Sequence, residues 1–293
     1  MAPRKVHVAA RSQDNPTYPQ RFAVPDELVP WATPFPGYAP VPYTYKRGME
    51  ASYADPADPR SIPELKGRFT YEGSIALDPR TGSPLNPAGR TGMFERGRLA
   101  KWGPNHAADP IVTRYHPTSG ELQLVVIKRN DTGTWALPGG MVDSGEAVSQ
   151  TVRREFTEEA GAIQDPEMAR RFNELSEQLF GSGGEVVYTG YVDDPRNTDN
   201  SWMETAALHF HCNAELGALL PLEAGDDANQ VKWVTLDESL TLYASHRSWV
   251  STVEASMRRR RLIANARRAA TVALPVLAVA AAVLAATRSS SRK

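Results

Sequence analysis

The sequence predicts an α/β fold with a mixed sheet, preceded by a small strand- and loop-rich N-terminal lobe. Three observations predict it. Strand-like apolar runs recur at 121–127, 185–192, 205–212 and 230–236; helical periodicity falls among them; and the first hundred or so residues hold too many prolines for long helices. Strands interleaved with helices bury their apolar faces in layers, which is the α/β solution.

The elements follow in chain order. Residues 1–105 form the lobe. Pro30-Trp31, Pro34-Phe35-Pro36-Gly37-Tyr38 and the run from Pro40 to Tyr45 favour extended segments and turns. A solvated linker has no use for Trp31, Phe35, Tyr38, Tyr43 and Tyr45, so this lobe packs on a neighbour. Segments 86–92 and 102–110 read as two loops carrying hydrogen-bond donors. The main domain is expected at 106–250. Its first strand, Glu121-Leu122-Gln123-Leu124-Val125-Val126-Ile127, ends in Lys128 and Arg129. Segment 134–141 follows, with Gly139-Gly140, and then a helix over 146–160. A second helix is expected over 165–180, where Met168, Phe172, Leu175 and Leu179 recur at helical spacing. A basic helical linker occupies 251–268, and 269–287 is apolar.

Composition excludes several classes. With 293 residues, 41% apolar and 23% charged, the chain has ample material for a core. A net charge of -1 leaves no basic excess with which to neutralise a nucleic-acid backbone, so no nucleic-acid partner is expected. The single cysteine, Cys212, excludes an internal disulfide framework and reads as a small half-buried strand residue. No secretory signal is visible at the N-terminus. Arg4, Lys5 and Arg11 fit an organellar presequence, a reading weakened by Asp14 and the prolines after it.

The chemistry concentrates between Gly140 and Ala162. Five residues separate Gly140 from Glu146, and seven more precede Arg154-Glu155-Phe156-Thr157-Glu158-Glu159-Ala160-Gly161. Asp143 or Ser144 can cap such a helix and Gly161 can stop it. At about 100° per residue, Val148, Val152 and Phe156 form one apolar stripe, and Glu155, Glu158 and Glu159 overlap its margin. Three carboxylates at a buried margin repel one another and lose hydration. Arg154 offsets part of that cost, and a hard divalent cation with oxygen ligands offsets it better.

This spacing resembles the Nudix box, G-x5-E-x7-R-E-U-x-E-E-x-G-U, at all seven fixed positions. The last U, a bulky apolar residue in the pattern, is the smaller Ala162. The resemblance implies a Nudix α/β/α sandwich in which Mg²⁺ (or Mn²⁺) serves the hydrolysis of a diphosphate. It implies Glu155, Glu158 and Glu159 as metal ligands, with the carbonyl of Gly140. Glu146 is implied as an accessory group and Arg154 as the residue that orients the glutamates. A divalent cation neutralises phosphate oxygens and activates water. The general base stays open between the box and a later loop with Glu223, Asp226 and Asp227.

Four further strings narrow the substrate: 86–92, 102–110, 191–200 and Leu242-Tyr243-Ala244-Ser245-His246. Together they resemble the mitochondrial-type ADP-ribose pyrophosphatases and the C-terminal domain of the ADP-ribose-gated melastatin channels, over roughly residues 20 to 250. That resemblance implies hydrolysis of ADP-ribose to AMP and ribose 5-phosphate. It also implies nucleotide contacts from Asn105, Asp194, Arg196, Tyr243 and His246. Arg196 suits a phosphate fork, Asp194 ribose hydroxyls, and Tyr243 stacking. As a solvated loop arginine, Arg196 is expected to add little to stability. Two alternatives are a non-hydrolytic ADP-ribose sensor and a hydrolase of another nucleoside diphosphate derivative. The intact run from Arg154 to Glu159 favours the enzyme.

The stretch 269–287 is nineteen residues without a charge, flanked by Arg267-Arg268 and by a basic tail. It is about long enough to cross a bilayer. The expectation is a C-terminal membrane anchor with a cytosolic catalytic domain, the mitochondrial outer membrane being one destination. The mitochondrial matrix and the cytosol are the alternatives.

Overall fold

A seven-stranded mixed sheet, with strand order β5-β4-β3-β8-β7, organises the chain; β6 pairs with β3 and β9 with β4. The computed structural model describes residues 7–46, 52–129, 133–142, 150, 165–219, 231–237, 239–243 and 245–290; the side chains of 268–270 and 272–290 lie outside that set. The sheet strands are β3 (Gly103–Tyr115), β4 (Leu122–Lys128), β5 (Trp135–Ala136), β6 (Gly140–Met141), β7 (Glu185–Tyr191), β8 (Ser201–His211) and β9 (Val231–Thr235). A separate parallel pair, β1 (Val41–Thr44) and β2 (Met93–Gly97), belongs to the N-terminal lobe. Among the described residues the α-helices are α1 (Pro166–Gly181), α2 (Ala214–Leu219) and α3 (His246–Ser290).

Strands β3 and β8 run parallel from Gly103 opposite Ser201 to Thr113 opposite His211. Period-2 alternation divides their side chains between two faces. Ala108, Val112, Leu208, Phe210 and Cys212 pack with Phe172, Leu175 and Phe180 of α1 and with Leu216 of α2. The opposite face carries Asp109 and Thr205. Asp165 caps α1 by accepting from the amides of Glu167 and Met168, and Pro166 suits the first turn.

Two expectations are corrected here. Segment 102–110 is not a loop: from Gly103 onward it is the start of β3. Proline costs a strand one ladder donor, but residues 109–112 pair only with β8, because β6 stops at Ala108 and β4 begins at Thr113. Pro110 therefore falls in a gap on the other side. In α1, Met168 is 40% exposed, and Ser176 and Phe180 are buried instead. The core-facing stripe starts one turn later than periodicity suggested.

The proline-rich lobe is held by cations rather than by ladders. Arg90 Nη1 donates to the carbonyls of Leu28 (2.8 Å) and Pro30 (2.7 Å), and Nη2 to that of Thr33 (3.0 Å). Its guanidinium lies over the rings of Trp31 and Tyr38. Those are the aromatics that a free linker could not use. Gly92 has φ +82°, and a Cβ there would sit 1.9 Å from the Phe22 carbonyl oxygen, so close backbone approach fixes glycine at this turn.

Residues Met1–Trp249 form one unit and Val250–Lys293 another. The second is helical: α3 continues from the basic stretch through the apolar run to Ser290. Among the described residues no helix is long and apolar enough to cross a membrane. Most side chains of 269–287 lie outside the described set.

Candidate active site

A cavity of about 150 Å³ lies where the lobe segment 98–101 meets β3 and β6. Arg98, Lys101 and Arg196 line it, with Asn105, His106 and Met141. Three cations on one small cavity suit an anionic ligand. Met141 and Val142 of its wall immediately precede the glutamate segment in the sequence.

Arg196 is positioned by the loop between β7 and β8, which the lobe anchors along its length. Asp193 accepts from the amides of Ala9 and Ala10. Tyr18 donates to the Arg196 carbonyl, Asn86 to that of Thr198, and Asn200 to that of Pro84. Asp199 accepts from Tyr38 Oη at 2.5 Å and from the amide and hydroxyl of Thr91. Burial pushes the Asp199 carboxyl up to about 6. Most of this loop is buried, although its polar sequence reads as a surface turn.

The five expected nucleotide contacts all lie in the first unit, and two of them line the cavity. Asn105 is 2% exposed; its amide donates to the carbonyls of Lys101 and Gly103 and to Ser201 Oγ, and its oxygen accepts from the Lys101 amide. It fixes the cavity floor. Asp194 is buried and receives Arg196 through Nε and Nη2, both at 2.8 Å. Burial raises the Asp194 carboxyl, but Arg196 outweighs it and holds the group below the usual carboxylate range. Asp194 in turn raises Arg196.

Tyr243 and His246 lie at the entry to α3. The Tyr243 amide donates to Trp135 O at 2.8 Å, and Arg129 lies 4.2 Å from the centre of its ring. His246 is buried rather than displayed on the surface. Its Nδ1 accepts from the Leu137 amide at 3.0 Å, and its Nε2 lies 3.8 Å from Asp109 Oδ1. Burial lowers the His246 pKa, with Asp109 acting against it.

Sequence reasoning missed Asp109, Arg98, Lys101 and Glu204. Glu204, fully buried, accepts from Thr70 Oγ1, the Tyr71 amide and Trp202 Nε1, and lies 3.5 Å from His106 Nε2. It ties lobe to sheet. A glutamate two places after Trp202 in a long, mostly apolar strand was the available signal.

Of the expected metal site, Gly140 is in β6, paired with Ala108 of β3. Glu146, Arg154, Glu155, Glu158 and Glu159 lie outside the described residues, as do Glu223, Asp226 and Asp227. Among the described residues no group of three His, Cys, Asp or Glu could hold a metal ion.

A mixed sheet beside a cationic cavity suits an anionic substrate, and the relatives of this chain include hydrolases acting on acid anhydrides. Residues 24–103 match the family described as NUDT9-like, N-terminal domain, and residues 111–253 match the NUDIX domain. A Caenorhabditis elegans protein assigned as a Nudix hydrolase is 45% identical over 245 residues, 80% of this chain and 91% of that one. The mitochondrial ADP-ribose pyrophosphatase of Rattus norvegicus is 44% identical over 270 residues, 84% of this chain and 77% of the rat protein. A transient receptor potential cation channel, subfamily M member-like 2, of Nematostella vectensis is 43% identical over 276 residues, 85% of this chain but only 18% of the channel. The chain belongs to the Nudix hydrolase family. That family's hydrolysis uses a divalent metal ion.

Proposed function

We propose that this protein hydrolyses the diphosphate of ADP-ribose, giving AMP and ribose 5-phosphate. The observation that carries the reading is the cavity lined by Arg98, Lys101 and Arg196, whose wall includes Met141 and Val142, the residues just before the glutamate segment in the sequence. A diphosphate brings negative charge that these cations offset. Arg196, locked by Asp194 through Nε and Nη2, keeps Nη1 for the ligand, and so presents a preset donor. The name and coverage of the rat relative support the substrate.

The donor set of the box is all oxygen, which fits a hard cation. In this reading Glu155, Glu158 and Glu159 hold Mg²⁺ (or Mn²⁺) with the Gly140 carbonyl, Arg154 orients them, and Glu146 assists from outside. When bound, the cation supplies charge neutralisation on the phosphate oxygens and activation of the attacking water. Asn105 shapes the floor, and Tyr243, with Arg129 over its ring, faces the sugar or base.

We further infer attachment to a membrane through 269–287, with the catalytic unit on the cytosolic side of a mitochondrial outer or similar membrane. Its support is an uncharged run between basic flanks and a helical backbone to Ser290. The rat relative's name supports a mitochondrial setting.

The deciding assay incubates purified full-length chain with ADP-ribose and Mg²⁺ and follows AMP. Release of AMP and ribose 5-phosphate is expected. A preference of about tenfold or more for nucleoside triphosphates or coenzyme A, some 1.4 kcal/mol in transition-state binding, overturns the substrate.

A further inference from the structure

His246 stands at the start of α3, yet it is 7% exposed and its ring stacks on Trp249, with centroids 5.3 Å apart and planes at 30°. A backbone N–H can only donate, so Nδ1, at 3.0 Å from the Leu137 amide, is the acceptor. In a neutral imidazole the proton then sits on Nε2. Nε2 faces Asp109 Oδ1 at 3.8 Å, beyond a direct hydrogen bond, so the carboxylate acts on it by charge.

Asp109 is itself fixed. Its Oδ2 accepts from Thr205 Oγ1 at 2.6 Å on the neighbouring strand. Gly139 packs against the same carboxylate, and a Cβ there would lie 2.6 Å from Oδ1 and 2.7 Å from the Ala108 carbonyl oxygen. Gly140 and Met141 pair with Ala108 and Ala107. One carboxylate is therefore the meeting point of β3, β8, the start of α3, and the segment from Leu137 to Gly140.

We propose that Asp109 and His246 are a positioning pair for the Nudix reaction. Asp109 holds the imidazole with its proton on Nε2. Nδ1 then holds the Leu137 amide, and this fixes the segment from Leu137 to Gly140, which bears the carbonyl that the reading above gives to the metal. Neither residue touches the reacting atoms. The role rests on the hydrolase reading above, and its signature is a change in metal requirement rather than in substrate affinity.

Substitution at His246 separates the roles. His246→Asn places an amide oxygen where Nδ1 stands and keeps the bond to Leu137; His246→Leu deletes it. On the full chain, His246→Leu and Asp109→Ala should raise the Mg²⁺ concentration for half-maximal hydrolysis by about tenfold or more, as loss of a group orienting metal ligands does. In Asp109→Ala, which removes no expected nucleotide contact, KM for ADP-ribose should stay near the wild-type value, and His246→Asn should restore the metal requirement lost in His246→Leu. A purely structural role would lower the melting temperature and the active fraction and leave that requirement in place. Hydrogen exchange at the Leu137 amide, read without substrate, gives a second measure: protection should fall in His246→Leu and persist in His246→Asn. If the exchange pattern appears but ADP-ribose is not cleaved, the substrate reading fails and the metal requirement is read on the nucleoside diphosphate derivative that is cleaved, where the same shift is expected. Equal Leu137 exchange in wild type and His246→Leu, or an unchanged metal requirement in Asp109→Ala, overturns the proposal.

Discussion

Both carboxylate oxygens of Asp194 are tied to one guanidinium: Oδ1 lies 2.8 Å from Nε of Arg196 and Oδ2 lies 2.8 Å from Nη2. This corrects the expectation that Arg196 is a solvated loop residue of little structural consequence. Its partner is 2% exposed, and removing the arginine strands a buried carboxylate. Arg196→Ala should cost about 2–3 kcal/mol, below the roughly 3–5 kcal/mol of a fully buried broken pair because the Arg196 side chain is 34% exposed. Adding Asp194→Asn should return part of that loss, because a neutral amide tolerates burial better than an unpaired charge. Urea denaturation of the two variants checks this. Equal stability of Arg196→Ala and wild type would show that the pair contributes nothing.

The residue types at the site were legible in the sequence; their roles were less so. The strings around Asp194, Arg196, Tyr243 and His246 carry a resemblance that points at a nucleotide. Which of these groups meets a ligand and which meets another side chain depends on partners far along the chain. His246 bonds to Leu137, and Asp109 faces it from a strand that Pro104 and Pro110 disguise as a loop.

Asp199 provides a pH test. Burial pushes its carboxyl up to about 6, against an unfolded value of about 3.9. The folded chain therefore binds the proton more tightly than the unfolded one. This contribution to stability is fully present below about pH 4 and is lost as pH rises through about 6. Asp199→Asn removes the titration and keeps a side-chain oxygen for Thr91. The melting temperature of Asp199→Asn minus that of wild type should increase between about pH 4 and 6 and level off above. A difference that is flat over this window would show that Asp199 does not titrate there.

Helix α1 was legible because an amphipathic helix writes its period into the sequence, apart from Met168, whose place in the stripe puts it at the exposed first turn. Strand β8 was legible only from Thr205 onward. Its first four residues, Ser201-Trp202-Met203-Glu204, show no period-2 alternation, and Glu204 is tolerated in the buried strand because Thr70, Tyr71 and Trp202 satisfy its carboxylate. Thr70 and Tyr71 lie more than a hundred residues upstream, so no local pattern announces them.

The tail anchor makes a prediction of its own. Basic residues on both flanks leave the positive-inside rule without a preference. Full-length protein should resist carbonate extraction, and a chain ending at Ala266 should be soluble and active. Release of both forms by carbonate to the same extent would falsify the anchor.

In the proposed reading the glutamates hold the metal, and isosteric substitution tests that assignment. Glu155→Gln and Glu158→Gln each keep the size of the side chain and remove the charge a hard cation requires. Each should lower kcat by about a hundredfold or more, some 2.7 kcal/mol of barrier. Folding should be little affected, because replacing one of three mutually repelling carboxylates by an amide relieves like-charge repulsion. The two effects have opposite signs, so the measurement is paired: kcat at saturating Mg²⁺ and the melting temperature without metal. Loss of activity with a melting temperature equal to or above wild type identifies metal ligands. Near-normal turnover in both variants assigns the metal to other residues, and loss of activity with a collapsed melting temperature assigns these glutamates to the fold.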